Sequence, residues 1–542
     1  MLTRNLGTRS RPASGDVASG AQGGRAGLRL ATSALLAVSA LVTLLAWGMA
    51  SAPGSSPDDN YHMASILCAR GESSRCVEVT GDPTMRVIPW EVNAISCYAF
   101  HSESSAGCLI GLDTHPDAPS NQGNWNGGYP PLFYLAMSPF VTDDVNLSVL
   151  LIRCANAVLA IVMVSVLCVL LPRRRRSLAL LPLLVTMVPL GLALVASTNP
   201  SGWTVLGVAT FWPALLAALE TEGRRSVALQ VYALTAMLMA AGSRADGCLF
   251  VAMSVVLVLG IKYRSLLSHR LVWVTSALCL VVPAYFLLSA AQTSALSTGL
   301  GVAPGAAPGL PPVSSLGLAV ANFQSLPTLW FGGLGFGPMG ALGWLDTPVP
   351  AIVGFLSTAV WIGLVFSAWK DMTRVKAFAI TLIGAGMLVY PLYILDRSKM
   401  TVGSGFQARY LLPLLVILTG FSMLRTGRTR MVLGGFQAAV VVGALSIANL
   451  VALYTQIRRY VTGLDVSGLN LDHADEWWWP GPLSPVAVWA IGSVAFTVAS
   501  ALLLLVVRRA EEEPEGTRDP DGPELRDRVA PETGAEPRTA LA

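Results

Sequence analysis

The sequence predicts an all-α polytopic membrane protein with about twelve transmembrane helices and a large first exoplasmic loop. Three observations carry that expectation. Of 542 residues, 53% are hydrophobic and only 13% charged, about half the charge of a soluble domain. Apolar runs of roughly eighteen or more residues recur from Leu28 to Val507. Lys and Arg gather in short clusters between these runs, and the formal net charge is only +4. A soluble enzyme is excluded, and with no basic face in view nucleic acid is not an expected partner. The lipid bilayer is.

A basic tail over 1–27 precedes the first run, near 28–49, and the positive-inside rule places the amino terminus in the cytoplasm. Further spans are expected near 147–172, 177–197, 203–220, 226–242, 248–261, 271–291, 351–369, 377–395, 408–424, 431–456 and 485–507, giving a membrane domain over 28–507. The short runs around Ser243 to Gly247 also fit a re-entrant pair. The basic clusters at Arg173 to Arg176, Arg224/Arg225, Lys262/Arg264/Arg270, Lys370/Arg374/Lys376, Arg425/Arg428/Arg430 and Arg508/Arg509 then share one face, the cytoplasm. Both termini lie there, and the setting is a bacterial cell membrane. Ala50-Ser51-Ala52 offers a rival reading as a signal-peptide cleavage site, but the preceding run is longer than a usual signal core.

The long connections, 53–146, 292–350, 396–407 and 457–484, all fall on the outer face, which is where a polytopic protein with such loops does its work. Thr293 to Pro312 reads as a linker or lid. The acidic, Pro-rich segment 508–542 reads as a disordered cytoplasmic tail. Cys68, Cys76, Cys97 and Cys108 in the first loop are candidates for two disulfides in an oxidising compartment, with the pairing open and free thiols or a metal site as the alternatives. The other Cys lie in apolar runs as packing residues.

Few residues are available for chemistry. Asp58 and Asp59, just beyond the first span, repel each other and raise one pKa, which suits a general base or a cation ligand. The alternative is a helix cap at a helix beginning near Tyr61. His62 shares a helical face with Asp59 and is otherwise a surface His. Tyr129 and Tyr134 flank Pro130-Pro131 before an apolar stretch too short to cross a bilayer, which fits an interfacial or re-entrant helix. Trp344 and Asp346 sit in Gly-Trp-Leu-Asp-Thr-Pro-Val-Pro, where Asp346 is either a turn residue or part of the site. Gln407, Arg409 and Tyr410 lie at the outer mouth of a span. A guanidinium there is costly without an anion, and a phosphate is its natural partner; snorkelling to headgroups is the alternative. Arg153, Arg244 with Asp246, and Arg458/Arg459 are weaker candidates of the same kind. Trp477-Trp478-Trp479 suits sugar stacking or an interfacial anchor.

Four motifs in this order resemble the bacterial polytopic family called domain of unknown function 2142: Pro-Asp-Asp-x-x-His, Tyr-Pro-Pro-Leu-Phe-Tyr, Gly-Trp-Leu-Asp-Thr-Pro-x-Pro and Phe-Gln-Ala-Arg-Tyr-Leu-Leu-Pro. The likeness runs from about residue 30 to about 480. Asp59 stands where that family usually has Glu, and Ala408 where it usually has Gly. The family is in turn similar to the GT-C superfamily of membrane glycosyltransferases, which use polyprenyl-phosphate-linked sugars. That resemblance implies a GT-C-like fold and a transfer to a cell-envelope acceptor, with Asp58 as base and Asp59 in support. Beside these two, His62, Tyr129, Tyr134, Trp344, Asp346, Gln407, Arg409 and Tyr410 are the candidate substrate contacts, and envelope-synthesis proteins are candidate partners. A divalent cation is left open. The competing classes are a transporter or flippase of an envelope precursor, and a non-catalytic assembly scaffold.

Overall fold

A computed structural model describes residues 15–263, 270–294, 315–425, 433–472, 476–479 and 481–512. The expected linker from 295 and the acidic tail from 513 lie outside these. Among the described residues, eight helices are long and apolar enough to cross a membrane: Gly27–Met49, Val145–Leu170, Ser201–Ala218, Arg270–Ser289, Ala351–Asp371, Arg374–Ser398, Gly435–Val461 and Pro485–Ala510. Two shorter apolar helices fall at expected spans: Ala245–Ile261 begins three residues before the expected 248–261, and Leu412–Met423 is shorter than the expected 408–424. Large apolar side chains such as Val281, Phe355, Phe366 and Phe378 point outward, as a lipid-facing surface requires.

The expected span over 177–197 is instead two helices, Arg176–Thr186 and Leu190–Val195. Pro189 lacks the N–H that would continue the ladder. Gly223–Ala241 is long enough to span but is not one of the eight apolar helices. It turns through Gly242 to Arg244 straight into Ala245–Ile261. The second long connection, 292–350, holds an unforeseen helix, Ser315–Gly332, whose Asn322 and Pro327 dilute the apolar pattern. The first loop is not purely helical either. Val77–Val79, Asp82–Ile88 and Ala118–Ser120 form a three-stranded antiparallel sheet, β1-β2-β3.

The bundle is built around Ser201–Ala218, every residue of which is buried. Small residues let its neighbours approach: a Cβ on Gly207 would lie 2.8 Å from the Ala236 carbonyl oxygen, and one on Gly420 would enter the Trp212 ring.

The two ends of the bundle differ in chemistry. At one end Glu220, its side chain 3% exposed, accepts from Arg175 Nη2 at 2.6 Å and pairs with Lys262 Nζ at 2.7 Å. Arg175 Nη1 also donates to the Arg425 carbonyl at 3.3 Å. Three of the basic clusters therefore meet on one face, as the alternation of spans requires. At the other end the first loop is fastened down. Disulfides join Cys68 to Cys76 and Cys97 to Cys108, which resolves the pairing left open by the sequence. Buried Arg459 donates to the Tyr98 carbonyl and to Asp346 Oδ2, each at 2.9 Å.

Candidate functional site

The chain leaves the first span at Met49 and begins the next helix, Asp59–Leu67, at the loop end of the bundle. Asp58 occupies the cap position of that helix with φ 62°, and its side chain makes no cap bond. The capping alternative fails for both acids. Each carboxylate is turned to a side-chain partner instead, and Asp is one of the few residues that tolerate a left-handed backbone.

Asp58 and Asp59 have opposite surroundings. The Asp58 side chain is 43% exposed, whereas that of its partner Arg409 is 3% exposed. Arg409 Nη2 donates to Asp58 Oδ2 at 2.6 Å and to the Tyr410 hydroxyl at 3.1 Å, and its Nε is buried without a partner among the described residues. Burial raises the Asp58 pKa, but the Arg409 charge and hydrogen bond outweigh it and hold the carboxyl below its ordinary value. Asp59 is fully buried. It accepts from the Thr198 hydroxyl and, at 3.1 Å, from the Ser56 N–H, with Arg153 Nη2 4.0 Å away. Arg153 itself donates to the carbonyls of Gly48 and Ala52, each at 2.8 Å. Asp58 is thus reachable by a ligand, and Asp59 is the strut behind it.

Burial pushes the Asp59 carboxyl up to about 6, against the pull of Arg153 and Thr198. A folded-state value above the unfolded 3.8 means that this stabilising contribution is complete below the unfolded value and lost as pH rises through about 6. Asp59→Asn, which cannot titrate, is expected to flatten the melting temperature across this window. Melting curves of both proteins at a series of pH values check it, and an unchanged slope in the variant would refute the assignment.

His62 is buried, contrary to the surface alternative. Its Nδ1 lies 3.0 Å from the Tyr134 hydroxyl, while Nε2 has no partner among the described residues. Burial, reinforced by Arg409 and Arg244, drives its pKa down to about 3, so the ring is neutral at physiological pH. Tyr129 packs edge-on to His62 at 5.6 Å, and its backbone N–H is held by Asn124 Oδ1 at 2.6 Å. Tyr134 lies on the short helix Leu132–Met137, in agreement with a segment too short to span.

Arg244, a weaker candidate in the sequence, lies beside this group. It pairs with Asp246 through two bonds of 2.9 Å and lies over the Tyr410 ring at 4.8 Å, with Arg409 at 5.1 Å from the same ring. It is also 5.7 Å from the Tyr129 ring. Two guanidiniums therefore share one aromatic platform beside Asp58. The signal available in sequence was Arg-Ala-Asp at the start of an apolar run.

Trp344 and Asp346 do not join this group. Asp346 is bound by Arg459, by the Phe100 N–H at 3.1 Å and by Thr347, and Trp344 Nε1 donates to the Gly54 carbonyl at 2.9 Å. Together they clamp the second long connection onto the first loop. Gln407 is half-buried and makes none of the site's hydrogen bonds. Among the described residues, no group of three or more His, Cys, Asp and Glu is placed to hold a metal ion.

Fold and site define a multi-pass membrane protein that carries an acid–guanidinium cluster at the loop end of its helix bundle. The family model described as "Predicted membrane protein (DUF2142)" matches residues 41–418, well over half the chain, and the chain belongs to that family. The matched stretch includes Asp58, Arg244 and Arg409. No curated protein and no solved structure matches.

Proposed function

We propose that the chain is a glycosyltransferase of the bacterial cell membrane. It moves a sugar from a polyprenyl phosphate to a cell-envelope acceptor on the exoplasmic face. The observation that carries this reading is the half-exposed Asp58 carboxylate held 2.6 Å from the buried Arg409 guanidinium, with Arg244 across the Tyr410 ring. The two ends of the bundle support this orientation: Arg175, Lys262 and Arg425 suit a cytoplasmic side, and the two disulfides suit an oxidising one.

In this reading the donor's phosphate takes the place of Asp58 on Arg409, which releases the carboxylate and raises its basicity. The acceptor hydroxyl gives its proton to Asp58 as its oxygen bonds to the anomeric carbon. The bond from that carbon to the phosphate oxygen breaks, and its electron pair leaves on the polyprenyl phosphate. Arg409 and Arg244 stabilise the added negative charge. Neutral His62 keeps Tyr134 and Tyr129 in register and carries no proton.

The test is an assay of purified protein in lipid nanodiscs with radiolabelled polyprenyl-phosphate sugars and envelope glycan fractions. Label appearing in the glycan supports transfer. Movement of labelled lipid between the leaflets of proteoliposomes without any glycan labelling would assign a flippase instead.

A further inference from the structure

One cavity among the described residues lies away from Asp58. It is a cleft of about 520 Å³ on the outer layer, between the Cys97–Cys108 loop, the start of the Val145–Leu170 helix and the last outer connection. Its volume is in the range of small-molecule sites. None of its lining residues belongs to the Asp58–Arg409 cluster.

The lining has three properties. One wall is aromatic: Trp477 and Trp478 lie at 4.9 Å from each other, and the Trp477 indole is anchored by a bond to the Leu483 carbonyl at 2.9 Å. The remaining polar groups are mainly acceptors, including the carboxylates of Glu91, Asp113 and Glu476, and among the described residues no Lys, Arg or His lines the cleft. Two polar atoms in its walls, Glu476 Oε2 and Trp478 Nε1, are sealed from solvent and have no hydrogen-bond partner among the described residues. Buried polar atoms of this kind are uncommon unless a ligand or water completes them. Gly107 leaves room for this arrangement, since a Cβ there would lie 2.4 Å from Glu476 Oε1.

A ligand complementary to such walls is rich in donors, carries no negative charge and has a flat apolar face. A phosphate or a uronate is repelled by the carboxylates. A pyranose ring meets every requirement: its hydroxyls donate to carboxylates, and its C–H face stacks on indole. We infer that this cleft is a saccharide-binding site, separate from the reacting centre, which holds a neutral glycan segment at the outer surface. The inference goes beyond the transferase reading, because a flippase or scaffold with the same cleft would bind sugar equally well.

The experiment uses the full chain in nanodiscs, followed by tryptophan fluorescence and saturation-transfer NMR. The probes are maltotriose as a neutral trisaccharide, trigalacturonate as its anionic counterpart, and spermidine. Maltotriose is expected to bind and trigalacturonate to fail. Trp477→Ala is expected to weaken maltotriose about tenfold. Gly107→Ala, which displaces the Glu476 carboxylate without touching the indoles, should weaken it in the same direction. Binding of spermidine alone would make the cleft a cation site and overturn the inference. So would the absence of any binding, trigalacturonate binding as well as maltotriose, or equal maltotriose affinity in the wild type and both variants. None of these readouts depends on sugar transfer, so their failure is separable from failure of the proposed activity.

Discussion

Asp58→Asn is expected to abolish sugar transfer, with a rate loss of about 10²- to 10⁴-fold, the range for removal of a general base, while the protein stays folded. Two features of the site separate these effects. The side chain is 43% exposed, so the substitution opens no cavity. Asn also tolerates the left-handed backbone that residue 58 adopts at φ 62°. The amide oxygen still accepts from Arg409, but it cannot take a proton from an acceptor hydroxyl. Initial transfer rates and melting temperatures of wild type and variant are the measurements. A variant with full activity would remove Asp58 from the chemistry, and one that does not fold would make it structural.

Arg153→Met should be the most damaging change outside the reacting pair. Arg153 is buried and ties the end of the first span to the loop through the carbonyls of Gly48, Ser51 and Ala52 and through Ser55 Oγ at 3.1 Å. It is also the nearest positive charge to buried Asp59. Breaking a buried pair by removing one partner leaves an uncompensated charge and costs about 3–5 kcal/mol. The Asp59→Asn, Arg153→Met double variant removes that charge as well, so it should recover part of the loss. A double-mutant cycle on thermal stability reads the coupling; strictly additive losses would show that Arg153 acts only through the carbonyls.

Much of the membrane architecture is legible in the sequence because it follows from local quantities. Hydropathy places the long spans, and Arg clusters predict which helix ends meet, as Glu220 shows by joining Arg175 and Lys262. Where a polar residue or a proline interrupts the run the reading fails: Asn322 and Pro327 hid a helix, and Pro189 split one. The site was partly visible because charge is scarce, so Asp58, Asp59 and Arg409 stood out. Nothing local says that Asp58 and Arg409, 351 positions apart, meet. Nor does anything local say that Asp346 belongs to Arg459 rather than to the site, or that His62 is sealed against Tyr134. Those facts depend on how the loop folds back onto the bundle, and Arg244 joins the site only through a shared tyrosine ring.

The central claim is that the Asp58–Arg409 pair opens to admit a lipid phosphate. Electron cryomicroscopy of the protein in nanodiscs with a saturating polyprenyl phosphate tests it most directly. Phosphate density is expected on Arg409 and facing Arg244, with the Asp58 carboxylate withdrawn from the guanidinium. An intact Asp58–Arg409 pair with the lipid headgroup bound elsewhere would contradict it.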